Sequence, residues 1–257
     1  FRESNRVQDF EIDPSSWCRI SFDRQYDGFP QFGNRILTVR WTRSKIAVLD
    51  FEGEIRTGVV EFGIVIIKGS QIISTETKQC RPRGKLQQKS TEIHGLRERD
   101  LAGLETFQKK QRYFAEIRSS VDVFCAHHAC VEENLLKNTW PYRPICNEQE
   151  DLHWGPWVDT HRLYKKLYPD IGNYSLSHLV NTFDLRNDLE KNALCYCPQG
   201  RQKYHCALYD TLASALLLTR LSQQPKISEA SLEWLIEKSA SAQKKSDRLT
   251  QAFLFDR

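Results

Sequence analysis

Methionine is absent from all 257 residues, an unusual lack at this length. No apolar run approaches the roughly 18 residues that a membrane-crossing helix needs, which excludes a membrane-spanning segment. The opening residues Phe1-Arg2-Glu3-Ser4-Asn5-Arg6 lack the apolar core of a secretory signal, so nothing points to export. The eight cysteines, at 18, 80, 125, 130, 146, 195, 197 and 206, are therefore expected to be reduced thiols in a cytoplasmic setting. No glycine-rich phosphate loop and no Gly-x-Ser-x-Gly elbow occurs. A strong charge of one sign is missing too. Lys and Arg total 37 against 33 Asp and Glu, a net +4, which permits a polyanionic partner without demanding one. What is present is ordinary globular material. Apolar residues make up 40% and charged residues 27%, which rules out disorder, collagen or coiled coil as a description of the whole chain.

Three segments follow from the patterning. Residues 1–44 mix aromatics (Trp17, Phe22, Tyr26, Phe29, Phe32) with turn formers and read as an irregular extension packed on a core by its rings. Residues 45–222 carry the regular signals. The run Ile46-Ala47-Val48-Leu49 predicts a strand covered on both faces. Gly58 to Lys68 and Gln71 to Gln79 extend it to a three-strand antiparallel meander. A basic stretch follows (Lys78, Arg81, Arg83, Lys85, Lys89), then helix over Leu101 to Arg118, a short buried strand at Val121 to Ala126 and helix over Val131 to Trp140. Val158-Asp159-Thr160 reads as a last short strand or turn. Helices are expected over His161 to Tyr168, Leu176 to Phe183 behind an N-cap at Ser175, and Cys206 to Leu221 on a Leu208/Leu212/Leu216 stripe. Residues 223–257 form a C-terminal helical tail, with an amphipathic helix over Ser228 to Lys238. Strands come first and then alternate with helices, so the class is α/β with a mixed sheet.

Chemistry concentrates at a few acids. Asp50 and Glu52, two apart on a strand, share a face at the end of the most buried strand. Two carboxylates side by side there are costly unless a cation lies between them, and hard oxygen ligands suit Mg²⁺ or Mn²⁺. Taken alone, an Asp-x-Glu pair reads more readily as a solvated strand end. His205 and Asp210 open the Cys206 helix, the imidazole on residual loop and the carboxylate in the first turn. A carboxylate for metal beside a swinging imidazole for proton transfer is a hydrolase pattern. Cys195-Tyr196-Cys197 with His205-Cys206 is a poor zinc set, because one residue between cysteines is tight. His127 and His128 are poor as a metal pair, because neighbours on an extended chain face opposite ways.

Five blocks in order resemble the DEDDh, or DnaQ-like, exonuclease family, which includes proofreading subunits of DNA polymerases. They are Ile46-Ala47-Val48-Leu49-Asp50-Phe51-Glu52-Gly53, Glu92-Ile93-His94-Gly95-Leu96, Ala126-His127-His128 through Glu132, Asp159-Thr160 with Tyr174 to Leu179, and His205 through Asp210. The resemblance implies a ribonuclease H-like mixed sheet flanked by helices. It implies two divalent ions, Mg²⁺ or Mn²⁺, held by Asp50, Glu52, Asp210 and Glu132, with His205 as general base. It implies 3′→5′ release of 5′-mononucleotides from single-stranded DNA or RNA, and a place in proofreading or repair beside a polymerase or repair complex. His94, Gly95 and Leu96, with Phe51 and Gly53, would line the seat of the terminal nucleotide. For His94 to Leu96 the alternative is a helix-end turn with Leu96 in the core. The chain departs from the family in three places: Glu132 replaces an Asp, His128 replaces an Asn, and Gly53-Glu54-Ile55 replaces Thr-Thr-Gly. These departures leave open a weakly catalytic nucleic-acid-binding module on the same fold.

Overall fold

The structure is a computed structural model and describes residues 39–141 and 154–241. The expected extension before residue 39, Cys18, Cys146 and the end of the tail lie outside the described residues. Five strands form one sheet: β1 (Lys45–Glu54), β2 (Gly58–Lys68), β3 (Gln71–Gln79), β4 (Val123–Ala126) and β5 (Trp157–Asp159), in the order β3-β2-β1-β4-β5. The first three are antiparallel, and β4 and β5 run parallel to β1. The α-helices are α1 (Gln88–His94), α2 (Glu98–Leu101), α3 (Gln111–Ser120), α4 (Ala129–Thr139), α5 (Thr160–Leu167), α6 (Leu176–Thr182), α7 (Arg186–Tyr196), α8 (Ala207–Ser222), α9 (Pro225–Ser228) and α10 (Leu232–Ser239). This is the mixed α/β arrangement that the strand-then-alternation pattern predicts.

Alternation along β1 divides the core. Ile46 and Val48 join Val65 and Ile67 under α5, α8 and α10. Ala47, Leu49 and Phe51 join Phe62 and Ile64 under α3 and α4. Burial on both faces explains why β1 and β2 read as continuous apolar runs. Asp50 and Glu52 are not at the end of β1, as expected, but inside its ladder with β2, opposite Gly63 and Glu61. They do lie past the last residue of β1 paired with β4, Val48 opposite Cys125. The open end is therefore that of the parallel half of the sheet.

Three helical expectations change. The helix over Leu101 to Arg118 is broken into α2, a 3₁₀ turn at Phe107–Lys110, and α3. Thr106 is extended because it bridges to Arg81, which pulls the chain out of helix there. The helix over Ser228 to Lys238 starts late, at Leu232. The Ser231 hydroxyl caps it by accepting from the Trp234 N–H, and Ser231 bridges to Arg40. The Leu208/Leu212/Leu216 stripe understates α8, which is buried on nearly every side because it lies across β1 and β2 with α6, α7 and α9 outside it. The chain on either side of residues 45–222 shares this core. Trp41 is fully buried and donates its indole N–H to the Ile227 carbonyl, and Leu232 and Leu235 pack in the α8 layer.

Gly63 lets α8 approach. A Cβ at this position would meet the Ala207 carbonyl carbon and oxygen at 2.4 Å. The first turn of α8 therefore rests on bare β2 backbone, directly across from Asp50. Gly63→Ala should force the helix start off the sheet and destabilise the fold by about 1–3 kcal/mol. Urea unfolding would show this as a lowered midpoint with an unchanged slope.

Candidate active site

β1 supplies Asp50 and Glu52 on the face that α8 covers. α8 supplies Asp210 from its first turn, and α4 supplies Glu132, also in a first turn. The loop before α8 supplies His205. Oxygen or nitrogen atoms of Glu52, His205 and Asp210 come within 4.8 Å of one another. Asp50 and Glu132 are not in that group of three, but Asp50 is near enough to feel the charges of Glu132, Asp210 and Glu52. The four acids and the imidazole are thus gathered from distant parts of the chain, Asp50 and Asp210 lying 160 positions apart.

The two carboxylates on the helices are each held by a backbone N–H. Past the end of β4, the open edge of β1 presents the Phe51 N–H, which Glu132 accepts. The start of α4 is itself tied down. His128 takes a left-handed φ of 71°, its N–H points to Asp159 Oδ1 at 3.4 Å, and His127 bonds Thr160 Oγ1 and the Tyr174 carbonyl, each at 2.9 Å. Asp159 also caps α5 by accepting from the Arg162 N–H at 3.1 Å. The Asp-Thr pair therefore orients the helix that carries Glu132. At the other end, the His205 N–H donates to Asp210 Oδ2 at 3.0 Å, and His205 sits at φ 62°. A non-glycine residue in that region costs of order 1 kcal/mol and is held there by its surroundings. The ring is left exposed, beside Glu52 and Asp210.

The electrostatics call for a cation. Burial, then repulsion from Glu132, Asp210 and Glu52, raises Asp50 well above the ordinary carboxylate range. Burial and the Glu61 carboxylate push Glu52 up to about 7, against the opposing pull of Arg201. Burial pushes Asp210 up to about 8 although the His205 N–H opposes it. Glu132 is also raised, by burial and then by Glu52. Two buried oxygens, Glu132 Oε2 and Asp210 Oδ1, have no hydrogen-bond partner. Unsatisfied buried oxygens in an acid cluster fit a hard divalent ion, which needs oxygen ligands and supplies the missing positive charge.

The family model described as exonuclease (RNase_T) matches residues 49–218, about two thirds of the chain. The chain belongs to the DEDDh exonuclease family. Its fold is that of solved relatives. Exonuclease X in complex with 5′-overhanging duplex DNA aligns with a TM-score of 0.57 at 20% identity, over 76% of this chain and 99% of that one. Exonuclease I aligns with a TM-score of 0.55 at 14% identity, over 72% of this chain and 42% of that one. The nuclease domain of 3′hExo bound to rAMP gives 0.51 at 15% identity, over 70% and 92%. A PolC-type DNA polymerase III of Bacillus subtilis (strain 168) is 25% identical over 163 residues, which are 63% of this chain and only 10% of that polymerase.

In this exonuclease fold the expected nucleotide seat is mostly closed. Phe51 is 6% exposed, its ring 5.4 Å from that of Phe107 in the α3/α4 core, so only its backbone faces the acids. Leu96 packs with Val60, Leu86 and Leu101, and His94 is buried with its Nδ1 accepting the Leu96 N–H at 3.0 Å. The cause is the end of α1. Gly95 turns left-handed at φ 75° and folds both flanking side chains inward. Gly95 and the neighbouring Ile93 are the exposed surfaces of this segment. Gly53, at φ 131°, lies at the register shift of the β1–β2 ladder, which continues beyond it to Glu54 opposite Gly58. Glu52, His205 and Asp210 are the one group of three or more metal-ligating side chains found among the described residues, so Cys195, Cys197 and Cys206 form no such group with His205. His128's left-handed turn brings its ring to 5.1 Å from His127's, which an extended chain would not allow.

Two residues that line the acid cluster escaped the sequence. Glu61 is 3% exposed, faces the acids from β2, and pairs with the Arg201 guanidinium. A single acid inside the apolar run Val59 to Ile67 was the available signal. Arg201 lies in a polar loop and had none.

Raised carboxylates give the metal-free protein a distinct pH response. Between about pH 4, where ordinary carboxyls titrate, and pH 8, the folded state holds more protons than the unfolded chain. Stability in EDTA should therefore fall as pH rises from 5 to 8 and level off above. Mn²⁺ should raise Tm more at pH 8 than at pH 5.5, and Asp210→Asn should raise the metal-free Tm at pH 8. Differential scanning fluorimetry across that pH range checks all three.

Proposed function

We propose that the chain is a divalent-metal-dependent 3′→5′ exonuclease that releases 5′-mononucleotides from the 3′ end of single-stranded DNA or RNA. The carrying observation is the approach of Glu52, Asp210 and the exposed His205 to one another, with buried Asp50 and Glu132 close enough to repel these acids and two buried oxygens left without a partner. Asp50, Glu52 and Asp210 would hold two Mg²⁺ or Mn²⁺ ions, with Glu132 directly or through water. Such ions, when bound, neutralise charge on the attacked phosphoryl group and on the attacking and leaving oxygens. The protein's own part is positioning and proton transfer. His205 takes a proton from the attacking water on its imidazole, and its backbone N–H, donated to Asp210 Oδ2, anchors the residue beside the acids. Water then adds at phosphorus and the 3′-oxygen of the preceding nucleotide leaves.

The rest of the surface suits a strand end. Gly95 and Ile93 present an open backbone and an apolar side chain at the expected nucleotide seat. Arg81, Arg83, Lys85 and Lys89 lie on the segment leading into α1, where cations would track phosphates with a salt-dependent contribution. Arg83 also ties this segment to the β1–β2 turn by donating to the Ile55 carbonyl at 2.9 Å. Likeness to a PolC-type polymerase supports work beside a polymerase or in repair. No helix among the described residues is long and apolar enough to cross a membrane. One specific observation favours a second function, a nucleic-acid-binding module with little turnover: Glu132 stands where the family has Asp.

Incubating 5′-labelled DNA and RNA strands with Mn²⁺ should give a ladder shortening from the 3′ end. Asp50→Ala should abolish it, and His205→Ala should slow it by about 10²–10⁴-fold, the usual worth of a general base. Glu132→Asp should retain or gain activity. A Glu132→Ala protein as fast as wild type would remove that residue from the ligand set. Tight oligonucleotide binding with no ladder at any metal concentration would establish the binding module instead.

A further inference from the structure

We propose that Arg201 is a positioning residue that locks the loop of the general base to the segment receiving the terminal nucleotide, so that the two move as one unit. The proposal rests on the exonuclease function argued above. Its basis is a single, mostly covered guanidinium whose donors reach two different elements. Arg201 Nε donates to Glu61 Oε1 at 3.0 Å, Nη2 donates to Glu61 Oε2, and Nη1 donates to the His94 carbonyl at 2.6 Å. The Arg201 side chain is 14% exposed and that of Glu61 4%.

Glu61 extends the network to a third element. Its Oε2 also accepts the Ala207 N–H at 3.0 Å. Ala207 is the first residue of α8, and Cys206 before it offers no side-chain cap. Glu61 thus satisfies an orphan helix donor from across the sheet, three residues before Asp210 and two after His205. The planar fork of Arg201 fits a carboxylate with two bonds and still has a donor left for His94, which a lysine ammonium cannot match. His94 closes α1, and its carbonyl is adjacent to Gly95, the open point of the nucleotide seat.

The chain between α7 and α8 has no regular structure of its own, and His205 within it holds a left-handed φ. Two anchors bracket the ring on the site side: the Asp210 bond to the His205 N–H, and the Arg201 fork four residues earlier. Losing the fork leaves the acids on β1 and α4 in place but frees the base loop from α1. The expected signature is therefore a loss in kcat with metal binding kept.

The test uses Arg201→Lys, which keeps the charge and loses the fork, with Glu61→Gln as a second variant. Arg201→Lys should lower kcat on single-stranded oligonucleotides by about 10–100-fold, change KM by less than threefold and leave Mn²⁺ affinity within twofold. In a His205→Ala background the same substitution should cost less than twofold more, because the residue acts through His205. A full additional loss in that background, or a KM effect with kcat intact, would overturn the proposal. Hydrogen exchange provides a readout that needs no turnover. Amides at 93–96 and 201–207 should both exchange faster in Arg201→Lys and Glu61→Gln, while β1 and α4 stay protected. Unchanged exchange at 93–96 would overturn the coupling even in an active enzyme. A wild type without turnover whose two segments loosen together would retain the lock and remove the exonuclease function instead.

Discussion

Like charges crowded where water is scarce set the terms for this molecule. Asp50, Glu52, Glu132, Asp210 and Glu61 bring five carboxyl groups into one neighbourhood, and their mutual repulsion with burial raises Asp50, Glu52, Glu132 and Asp210. Nothing local to any one element favours this. The apolar layers on both sides of β1 must supply the free energy that holds the acids together, and backbone donors fix Glu132, Asp210 and Glu61. Stability and chemistry are therefore opposed at the acids themselves, which is expected where a site is built to be completed by a cation.

How the fold meets that demand is visible in three close approaches. Gly63 removes the side chain that would keep α8 off β2, so Asp210 comes down onto Asp50. β1 outruns β4, leaving the Phe51 N–H free for Glu132. Glu61 sits opposite Glu52 in the ladder, where a second acid would be untenable without Arg201. That one cation neutralises the acid that no metal is expected to reach and lowers Glu52 and Asp210 together. Charge balance in the metal-free state and placement of the base loop thus depend on the same guanidinium.

Much of this was legible in the sequence, for identifiable reasons. The meander and the paired carboxylates follow from continuous apolar runs and period-two alternation, which are local properties. The helix start at Ala207 follows from its long apolar pattern. Breaks in the helical stretches at 101–118 and 228–238 were hidden because they are imposed by bridges from Arg81 to Thr106 and from Arg40 to Ser231, contacts between distant residues. The burial of two side chains at the expected seat of the terminal nucleotide was hidden for a related reason. His94 and Leu96 look available on a turn, but the left-handed φ of Gly95 turns both inward. Arg201 gave no signal, because an arginine in a polar loop looks the same whether its partner is solvent or a buried glutamate 140 residues away.

Glu132 shows how a departure from a family pattern is absorbed. A shorter aspartate at this helical position would place its carboxylate about one methylene nearer the α4 backbone. The longer arm of Glu132 reaches the β1 edge and takes the Phe51 N–H with one oxygen, leaving Oε2 free and buried. A group whose only purpose was to cap the strand edge would have no reason to leave that second oxygen unsatisfied. The α4 start is also held more firmly than a helix terminus requires, by His127, His128, Asp159 and Thr160 together. Rigid support behind a carboxylate with an unspent oxygen is what a metal ligand needs and what a structural glutamate does not. On that ground the exchange of Asp for Glu moves the carboxylate to the β1 edge while keeping one buried oxygen available to an ion.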